Sequence, residues 1–235
     1  KGIKVVSFAR DGEDAINKIK QHKPDVVTMD VEMPGLNGLE ALKKIMCEYP
    51  VPVVMLSSLT TIGARQTLEA LTSGAVDFIA KPANRNELHI MAQELIEKVK
   101  SASGVSIKKV CSIFTHQTPQ ADKHKKRLVS SQIQASYSRP TSAIELVAVG
   151  TSTGGPSALQ KLLTAIPENI PCGIVVVQHM PKGFTGPLAK RLNDLCSIEV
   201  KEGEEGDRVM PGRAIIAPAG CQTTLKRTAS GSLTI

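Results

Sequence analysis

The sequence has very few aromatic residues. Tryptophan is absent, and phenylalanine and tyrosine together make up only 3% of the 235 residues. The hydrophobic cores must therefore be built from Val, Ile, Leu, Ala and Met side chains. Such a composition suits parallel sheets, whose strands are buried on both faces.

Paired cysteines and long apolar runs are missing as well. The five cysteines are scattered, with no CxxC pair and no metal-ligand spacing. This argues against a disulfide framework and indicates reduced thiols. No apolar run approaches the roughly 20 residues that cross a bilayer, and the N-terminus lacks the apolar segment of a signal peptide. We therefore expect a cytoplasmic location.

The net charge of +7 is concentrated in one segment. Residues 101–143 contain seven basic residues and one acidic residue, which leaves a net charge of +1 for the rest of the chain. The segment has no hydrophobic periodicity and is rich in Ser, Gln, Thr and Lys, as expected of a flexible linker. Because the basic residues lie in a linker and form no stripe interleaved with aromatic residues, we predict no nucleic-acid partner.

Strand-like and helix-like runs alternate on both sides of this linker. The first is the apolar, β-branched run Ile3–Phe8, which predicts a strand, and the alternation continues to about residue 100. It resumes at Ile144. The pattern predicts an α/β protein with two doubly wound parallel-sheet domains, at residues 1–100 and 144–235, joined by the flexible linker 101–143.

Three polar side chains end or follow strand-like runs of the first predicted domain. They are Asp30 in MDVEMPGLNG, Ser57 in VVMLSS and Lys81 in FIAKP. Since ligands bind beyond the carboxyl ends of parallel strands, we expect these groups to converge. A carboxylate that attacks, with a hydroxyl and an ammonium to hold phosphoryl oxygens, suits phosphoryl transfer to Asp30. The alternative is a helix-capping Asp30 and a surface Lys81.

The segments DVVTMDVEMPGLNGLE, VVMLSS and AVDFIAKP resemble motifs of response-regulator receiver domains, which have a flavodoxin-like fold. The resemblance covers residues 1–98 and implies Asp30 as phospho-acceptor, Ser57 as switch hydroxyl and Lys81 as phosphate contact. It also implies Mg²⁺ for phosphorylation, bound by Asp30 and the backbone carbonyl of Glu32. Receivers open with a strand that ends in a pair of acids, and we expect this first strand to be missing.

The second predicted domain has a glycine-rich turn between a strand and a helix. The strand IELVAV runs into Gly150-Thr151-Ser152-Thr153-Gly154, the G-x-S-x-G pattern of a serine nucleophile, with backbone N–H groups available for an oxyanion. His179 is the one histidine of five at a strand end and is the predicted general base. The alternatives are phosphate binding by the turn and a structural histidine.

The segments VAVGTSTGGPSAL, VVVQHMPKGFTGPLAKRLN and VKEGEEGDRVMPGRAIIAPAG resemble the Rossmann-like catalytic domain of the chemotaxis protein-glutamate methylesterases, the CheB family. The resemblance covers residues 144–235 and implies hydrolysis of glutamate methyl esters on chemoreceptors, often with deamidation of glutamines, and no cofactor for the esterase step. It implies Ser152 as nucleophile, His179 as base and Thr153 as a residue lining the site. The implied partners are methylated chemoreceptors and a chemotaxis histidine kinase.

The family takes a third triad member, an aspartate, from a later glycine-rich loop, which we expect to lie beyond residue 235. Asp194 and Asp207 follow His179, but we predict that neither completes the triad. The resemblance also implies that the unphosphorylated receiver covers the active-site edge. Two alternative functions are a phosphorylation-dependent interaction module without catalysis and a DNA-binding response regulator, which would require a helix-turn-helix after the linker.

Overall fold

The structure is a computed structural model that describes residues 2–58, 60–82, 84–105, 107 and 144–235. Most of the predicted linker, residues 101–143, lies outside the described residues. The described residues before it are called the N-terminal region here, and residues 144–235 the C-terminal region.

The N-terminal region alternates helices and strands, as the sequence pattern predicts. Its elements are α1 (Gly12–His22), β1 (Val27–Asp30), α2 (Gly38–Glu48), β2 (Val53–Ser57), α3 (Thr61–Thr72), β3 (Asp77–Ala80), a 3-10 turn (Arg85–Glu87) and α4 (Leu88–Ser103). The strands form a parallel sheet in the order β1-β2-β3, with Asp30 opposite Leu56 and Ser57 opposite Ala80. The parallel pairing brings the carboxyl ends of the strands to one edge.

Side-chain caps determine where the first three helices begin. Asp11, Asn37 and Thr60 each accept a hydrogen bond from the backbone N–H three residues later, over 2.9 Å in each case. Each cap satisfies an N–H group that has no partner within the helix. The caps at Asn37 and Thr60 start α2 and α3 shortly after β1 and β2, at the edge that carries Asp30 and Ser57.

The strand predicted at Ile3–Phe8 is wrong. These residues form neither helix nor strand, and Val5 and Phe8 are 64% and 80% exposed. The run has the composition of a strand, but a strand persists only where its backbone groups pair with a neighbour. In the described part of the chain, no strand pairs with this segment.

The C-terminal region contains a parallel sheet and a small antiparallel one. Its elements are β4 (Leu146–Thr151), α5 (Gly155–Thr164), β5 (Gly173–Gln178), α6 (Thr185–Asn193), β6 (Glu199–Glu202), β7 (Arg208–Val209), β8 (Arg213–Ile216), β9 (Lys226–Arg227) and β10 (Leu233–Thr234). The parallel sheet has the order β4-β5-β8-β6, and the antiparallel sheet has the order β7-β10-β9. The α/β class is therefore confirmed in both regions.

The apolar side chains of the two regions form one continuous buried cluster. Helix α3 of the N-terminal region lies against α5 and α6 of the C-terminal region. Phe78 in β3 and Phe184, just before α6, are both buried, with ring centroids 4.7 Å apart. None of the helices in the described ranges combines the length and the apolar composition that a membrane span requires.

Candidate functional site

Ser152 lies between the end of β4 and the start of α5. Gly154 follows it with a φ of +75°, a left-handed backbone conformation that glycine adopts without the steric cost of a Cβ atom. This turn lets Ser152 leave the strand before the first residue of the helix. Ser152 is exposed, so its hydroxyl is accessible from solvent.

His179 follows β5 directly, beside Ser152. Strands β4 and β5 are parallel neighbours with Thr151 opposite Gln178, and the backbone N–H of His179 donates to the Thr151 carbonyl over 2.9 Å. This register places Ser152 Oγ 3.5 Å from His179 Nδ1. A separation at the long end of hydrogen-bond range is common between nucleophile and base before substrate binds.

Thr153 occupies the turn after Ser152 and is half-buried. It makes no hydrogen bond to Ser152 or His179 in the described structure. Its position is consistent with a residue that lines the site without directly contacting the nucleophile or the base.

Sequence reasoning missed Gln178, the last residue of β5. Its side chain is buried and bonded to both strand ends: the Nε2 group donates to the carbonyls of Ser152 and His179, over 3.0 Å each, and Oε1 accepts from the Thr151 hydroxyl over 2.7 Å. The sequence does place a glutamine at the strand end, directly before the predicted base. Its position alone does not indicate which groups its side chain contacts.

No carboxylate within the described ranges contacts His179. Asp194 directly follows α6, and Asp207 pairs with Lys201 Nζ at 2.8 Å. Partial burial by itself raises the pKa of Asp207, but the contacts with Lys201 and with the Glu204 N–H outweigh it and hold the pKa below its usual value. The hydrogen bond with Asp207 raises the pKa of Lys201. Asp207 is thus committed to a structural ion pair.

Two of the three polar groups predicted to converge in the N-terminal region are in contact. Lys81 Nζ lies 2.7 Å from Asp30 Oδ2, and the backbone N–H of Glu32 donates to Asp30 Oδ1 over 3.0 Å. Both side chains of the ion pair are about one-third exposed, at 34% and 35%, so the Asp30 carboxylate is accessible from solvent.

The Ser57 hydroxyl is bonded elsewhere. It is buried and donates to the backbone carbonyl of Gly63 over 3.1 Å, in the first turn of α3. The backbone carbonyl of Ser57 accepts from the N–H of Lys81 over 2.7 Å. Ser57 therefore connects the edge that carries Asp30 to the helix that contacts the C-terminal region.

The sheet edge that carries Asp30 offers few oxygen atoms as ligands for Mg²⁺. The chain offers the Asp30 carboxylate and the backbone carbonyl of Glu32, and the described residues group no three acidic, histidine or cysteine side chains around a metal position. One carboxylate with phosphoryl oxygens and waters is within the range of Mg²⁺ sites in proteins. The residues present thus fit a Mg²⁺ ion that is completed by a phosphoryl group.

The N-terminal region contacts the C-terminal region beside the two site residues but does not bury them. Ser152 and His179 are both exposed. The contact runs instead through α5 and α6, the helices that follow the two residues, and includes a hydrogen bond from the Ser157 hydroxyl to the Leu71 carbonyl over 3.4 Å. The N-terminal region thus flanks the site at one side.

Two family models match the chain, one in each region. The response regulator receiver domain matches residues 1–93, and the CheB methylesterase matches residues 147–234. The matched ranges contain Asp30, Ser57 and Lys81 in the first case and Ser152, Thr153 and His179 in the second.

Curated relatives match 93 to 100% of the chain. It is 43% identical, over 100% of its length and 67% of the relative's, to protein-glutamate methylesterase/protein-glutamine glutaminase 1 of Oleidesulfovibrio alaskensis. It is 38% identical to the protein-glutamate methylesterase/protein-glutamine glutaminase of Moorella thermoacetica, over 96% of its own length and 68% of the relative's. The response regulator domain of Thermotoga maritima CheB is 53% identical, with a TM-score of 0.41, over 44% of this chain and 78% of that chain.

The chain spans 60 to 68% of the length of such relatives. The matches extend through both regions and include the residues of both candidate sites. The chain therefore belongs to the protein-glutamate methylesterase/protein-glutamine glutaminase family, with a response regulator receiver domain followed by a CheB methylesterase domain.

Proposed function

We propose that the protein carrying this sequence hydrolyses glutamate methyl esters on chemoreceptors, with Ser152 as nucleophile and His179 as general base. The observation that carries this proposal is the 3.5 Å separation of Ser152 Oγ and His179 Nδ1 at the ends of adjacent parallel strands. The shared name of the relatives, protein-glutamate methylesterase/protein-glutamine glutaminase, supports the substrate class.

In this mechanism His179 accepts the Ser152 proton as Oγ attacks the ester carbonyl carbon. The bond to the methoxy group then breaks, His179 returns the proton to the leaving oxygen, and methanol departs. Water that loses a proton to His179 hydrolyses the acyl-enzyme, which restores Ser152 and leaves a glutamate. Backbone N–H groups at the start of α5 stabilise the oxyanion, and Thr153 lines the site.

The same attack on a glutamine carboxamide would release ammonia and form the same acyl-enzyme. Deamidation therefore requires no further catalytic group. Neither reaction requires a cofactor in this mechanism, because the nucleophile, the base and the oxyanion donors all belong to the chain.

Control of this reaction is proposed to begin at Asp30, which accepts a phosphoryl group from a chemotaxis histidine kinase. Lys81, 2.7 Å from Asp30, would hold a phosphoryl oxygen. Asp30 and the Glu32 carbonyl would bind Mg²⁺, which when bound neutralises phosphoryl charge. The proposed place of these reactions is the cytoplasm, where the protein meets the membrane only through receptors and binds no nucleic acid.

Ser57 is the proposed link between phosphorylation and the esterase site. Its hydroxyl now donates to the Gly63 carbonyl in α3. A phosphoryl group on Asp30 would attract this hydroxyl and release the first turn of α3. Because α3 lies against α5 and α6, its movement would shift the contact between the regions and clear the flank of the site for a receptor helix.

The test of the esterase proposal is methanol release from methylated receptor membranes by the full-length protein that carries this sequence. We expect release by the wild type with a phosphodonor, loss of release in Ser152→Ala, and loss in His179→Gln. Receptor binding without methanol release in the wild type would instead indicate a phosphorylation-dependent interaction module.

A further inference from the structure

The side chain of Gln178 joins the backbone of the proposed nucleophile to the backbone of the proposed base. It is only 5% exposed. Its two N–H bonds are directed to the carbonyls of Ser152 and His179, over 3.0 Å each. Its oxygen accepts from the Thr151 hydroxyl over 2.7 Å, which sets the orientation of the amide.

A primary amide suits this position because it offers two donors and an acceptor in one plane. Both Ser152 and His179 lie just beyond the last paired residues of their strands, Thr151 and Gln178. Beyond the strand pairing, one backbone bond runs from the His179 N–H to the Thr151 carbonyl over 2.9 Å, and another from the Gly155 N–H to the Ser152 carbonyl over 2.8 Å. The Gln178 amide adds the bonds that join the two residues through a side chain. A carboxylate at position 178 would have no donor for the two carbonyls, and an apolar side chain would leave both carbonyls without these bonds.

The start of α5 is shaped around this amide. A Cβ atom on Gly155 would lie 1.9 Å from Gln178 Oε1 and 2.8 Å from its Cδ. Any larger residue at position 155 would therefore displace the amide. Gly155 is needed here for the close approach of the glutamine.

We propose that Gln178 is a positioning residue that holds Ser152 Oγ and His179 Nδ1 at reacting distance. This inference rests on the proposed esterase function. A displacement of about 1 Å between reacting groups can cost about 100-fold in rate, so the bridge should influence kcat more than KM. Gln178 itself need not contact the substrate.

The first experiment compares the methanol release of full-length variants. We expect Gln178→Met, which preserves side-chain length, and Gln178→Glu, which preserves the acceptor, to lower kcat about 10- to 100-fold with KM within about twofold. Thr151→Val, which removes only the orienting hydroxyl, should cost less, and Thr151→Ser should keep the wild-type kcat. The matched control is Gln66→Met, since the Gln66 Oε1 atom is buried with no hydrogen-bond partner in the described structure.

A second experiment uses the contact with Gly155. Gly155→Ala should lower kcat by displacing the amide, and Gln178→Ala should lower it by removing the amide. Because both changes break one bridge, the double variant should be no slower than Gln178→Ala alone. Multiplicative losses in the double variant would show independent effects and contradict the bridge.

A spectroscopic measurement separates positioning from a loss of folded protein. The ¹⁵N signal of His179 Nδ1 in the folded state reports its hydrogen bond with Ser152, so Gln178→Met should move it towards its position in Ser152→Ala. Circular dichroism confirms that each variant is folded at the assay temperature.

The outcomes are distinguishable. Wild-type activity with a slow, folded Gln178→Met and a shifted Nδ1 signal supports the positioning role. Wild-type activity with an unchanged Gln178→Met overturns that role alone. An inactive wild type overturns the esterase proposal, and the inference that rests on it.

Discussion

Ser157 in α5 donates a hydrogen bond to the backbone carbonyl of Leu71 in α3, 3.4 Å away, and so joins the two regions close to the proposed nucleophile. Ser157 faces a small gap lined partly by Leu68 and Leu188, which has no room for an indole ring. Ser157→Trp should therefore force α3 away from α5. We expect methanol release without a phosphodonor to rise towards the phosphorylated rate.

The control for this prediction is Ser157→Ala, which removes one weak hydrogen bond and leaves the packing in place. It should retain its dependence on the phosphodonor. If Ser157→Trp is folded and remains fully dependent on the phosphodonor, the contact between α3 and α5 does not restrain the esterase.

The ion pair of Asp30 and Lys81 predicts the response to phosphorylation. Asp30→Asn should form no acyl phosphate, and Lys81→Met should respond little to phosphodonor because the ammonium 2.7 Å from Asp30 is lost. Both variants should keep the unphosphorylated rate of methanol release. Mass spectrometry of the acyl phosphate, together with that rate, is the measurement.

A matched control is available in Lys43→Met. Lys43 pairs with Glu69 at 2.8 Å, but both side chains are more than half exposed, and the pair lies apart from Asp30 in the contacts of the described structure. Phosphorylation of this variant should match the wild type. An equal loss in Lys43→Met and Lys81→Met would mean that general charge, rather than contact with Asp30, controls the response.

A buried ion pair holds α4 against β3. Lys98 Nζ lies 3.2 Å from Asp77 Oδ1 and donates to the Phe78 carbonyl over 2.6 Å, and the Lys98 and Asp77 side chains are each 7% exposed. Lys98→Met should lower the free energy of unfolding by about 3–5 kcal/mol, because it leaves the Asp77 carboxylate buried without its partner. Urea unfolding is the measurement.

The double variant Lys98→Met with Asp77→Leu tests the cause of that loss. Removing both charges removes the unpaired carboxylate, so the double variant should be more stable than Lys98→Met alone. A double variant that is less stable would mean that the hydrogen bond from the Phe78 N–H to Asp77 Oδ1, at 2.7 Å, matters more than the charge.

The pair of Asp207 and Lys201 predicts a pH dependence of stability. The pKa of Asp207 is lower in the folded state than its usual value, despite a partial burial that by itself raises it, because Lys201 and the Glu204 N–H stabilise the carboxylate. The stabilisation is therefore present above about pH 4 and is lost as the pH falls through the lowered, folded-state pKa. We expect the difference in unfolding free energy between wild type and Asp207→Asn to shrink on acidification.

Lys201→Met should behave like Asp207→Asn, because it removes the same contact. The difference in unfolding free energy between wild type and Lys201→Met should also shrink on acidification. The pKa of Lys201 is raised in the folded state. The stabilisation by the pair is therefore fully present below the pKa of Lys201 in the unfolded chain, and it is lost as the pH rises through the pKa of Lys201 in the folded state. A difference between wild type and Asp207→Asn that is constant from acid to neutral pH would contradict the assignment.

Hydrophobic periodicity predicted the α/β class because parallel strands and amphipathic helices leave distinct periods in the sequence. It failed at Ile3–Phe8, because this β-branched segment pairs with no strand in the described structure. It also gave no sign of β7, since Arg208–Val209 is too short to show alternation. Pairing partners and two-residue strands depend on contacts made elsewhere in the chain, which local patterns do not encode.

The candidate site was predictable where a residue type and a strand end coincided, as for Ser152, His179, Asp30 and Lys81. The Ser57 hydroxyl was expected at the same edge, but its hydrogen bond goes to α3. A serine hydroxyl rotates freely among nearby acceptors, so its partner depends on packing that the sequence does not display. The bonds of the buried Gln178 amide to the two strand ends likewise depend on packing.

The close approach of Gly155 to Gln178 also limits which substitutions the two positions can accept in this family. A Cβ atom at position 155 would overlap the amide oxygen, so a side chain there can be accepted only after residue 178 has shortened. If a shorter side chain replaced Gln178 first, the hydrogen bonds of its amide would be lost before a larger residue could be accepted at position 155. Among relatives, the two positions should therefore either keep Gly and Gln together or change as a pair, and single departures should be rare.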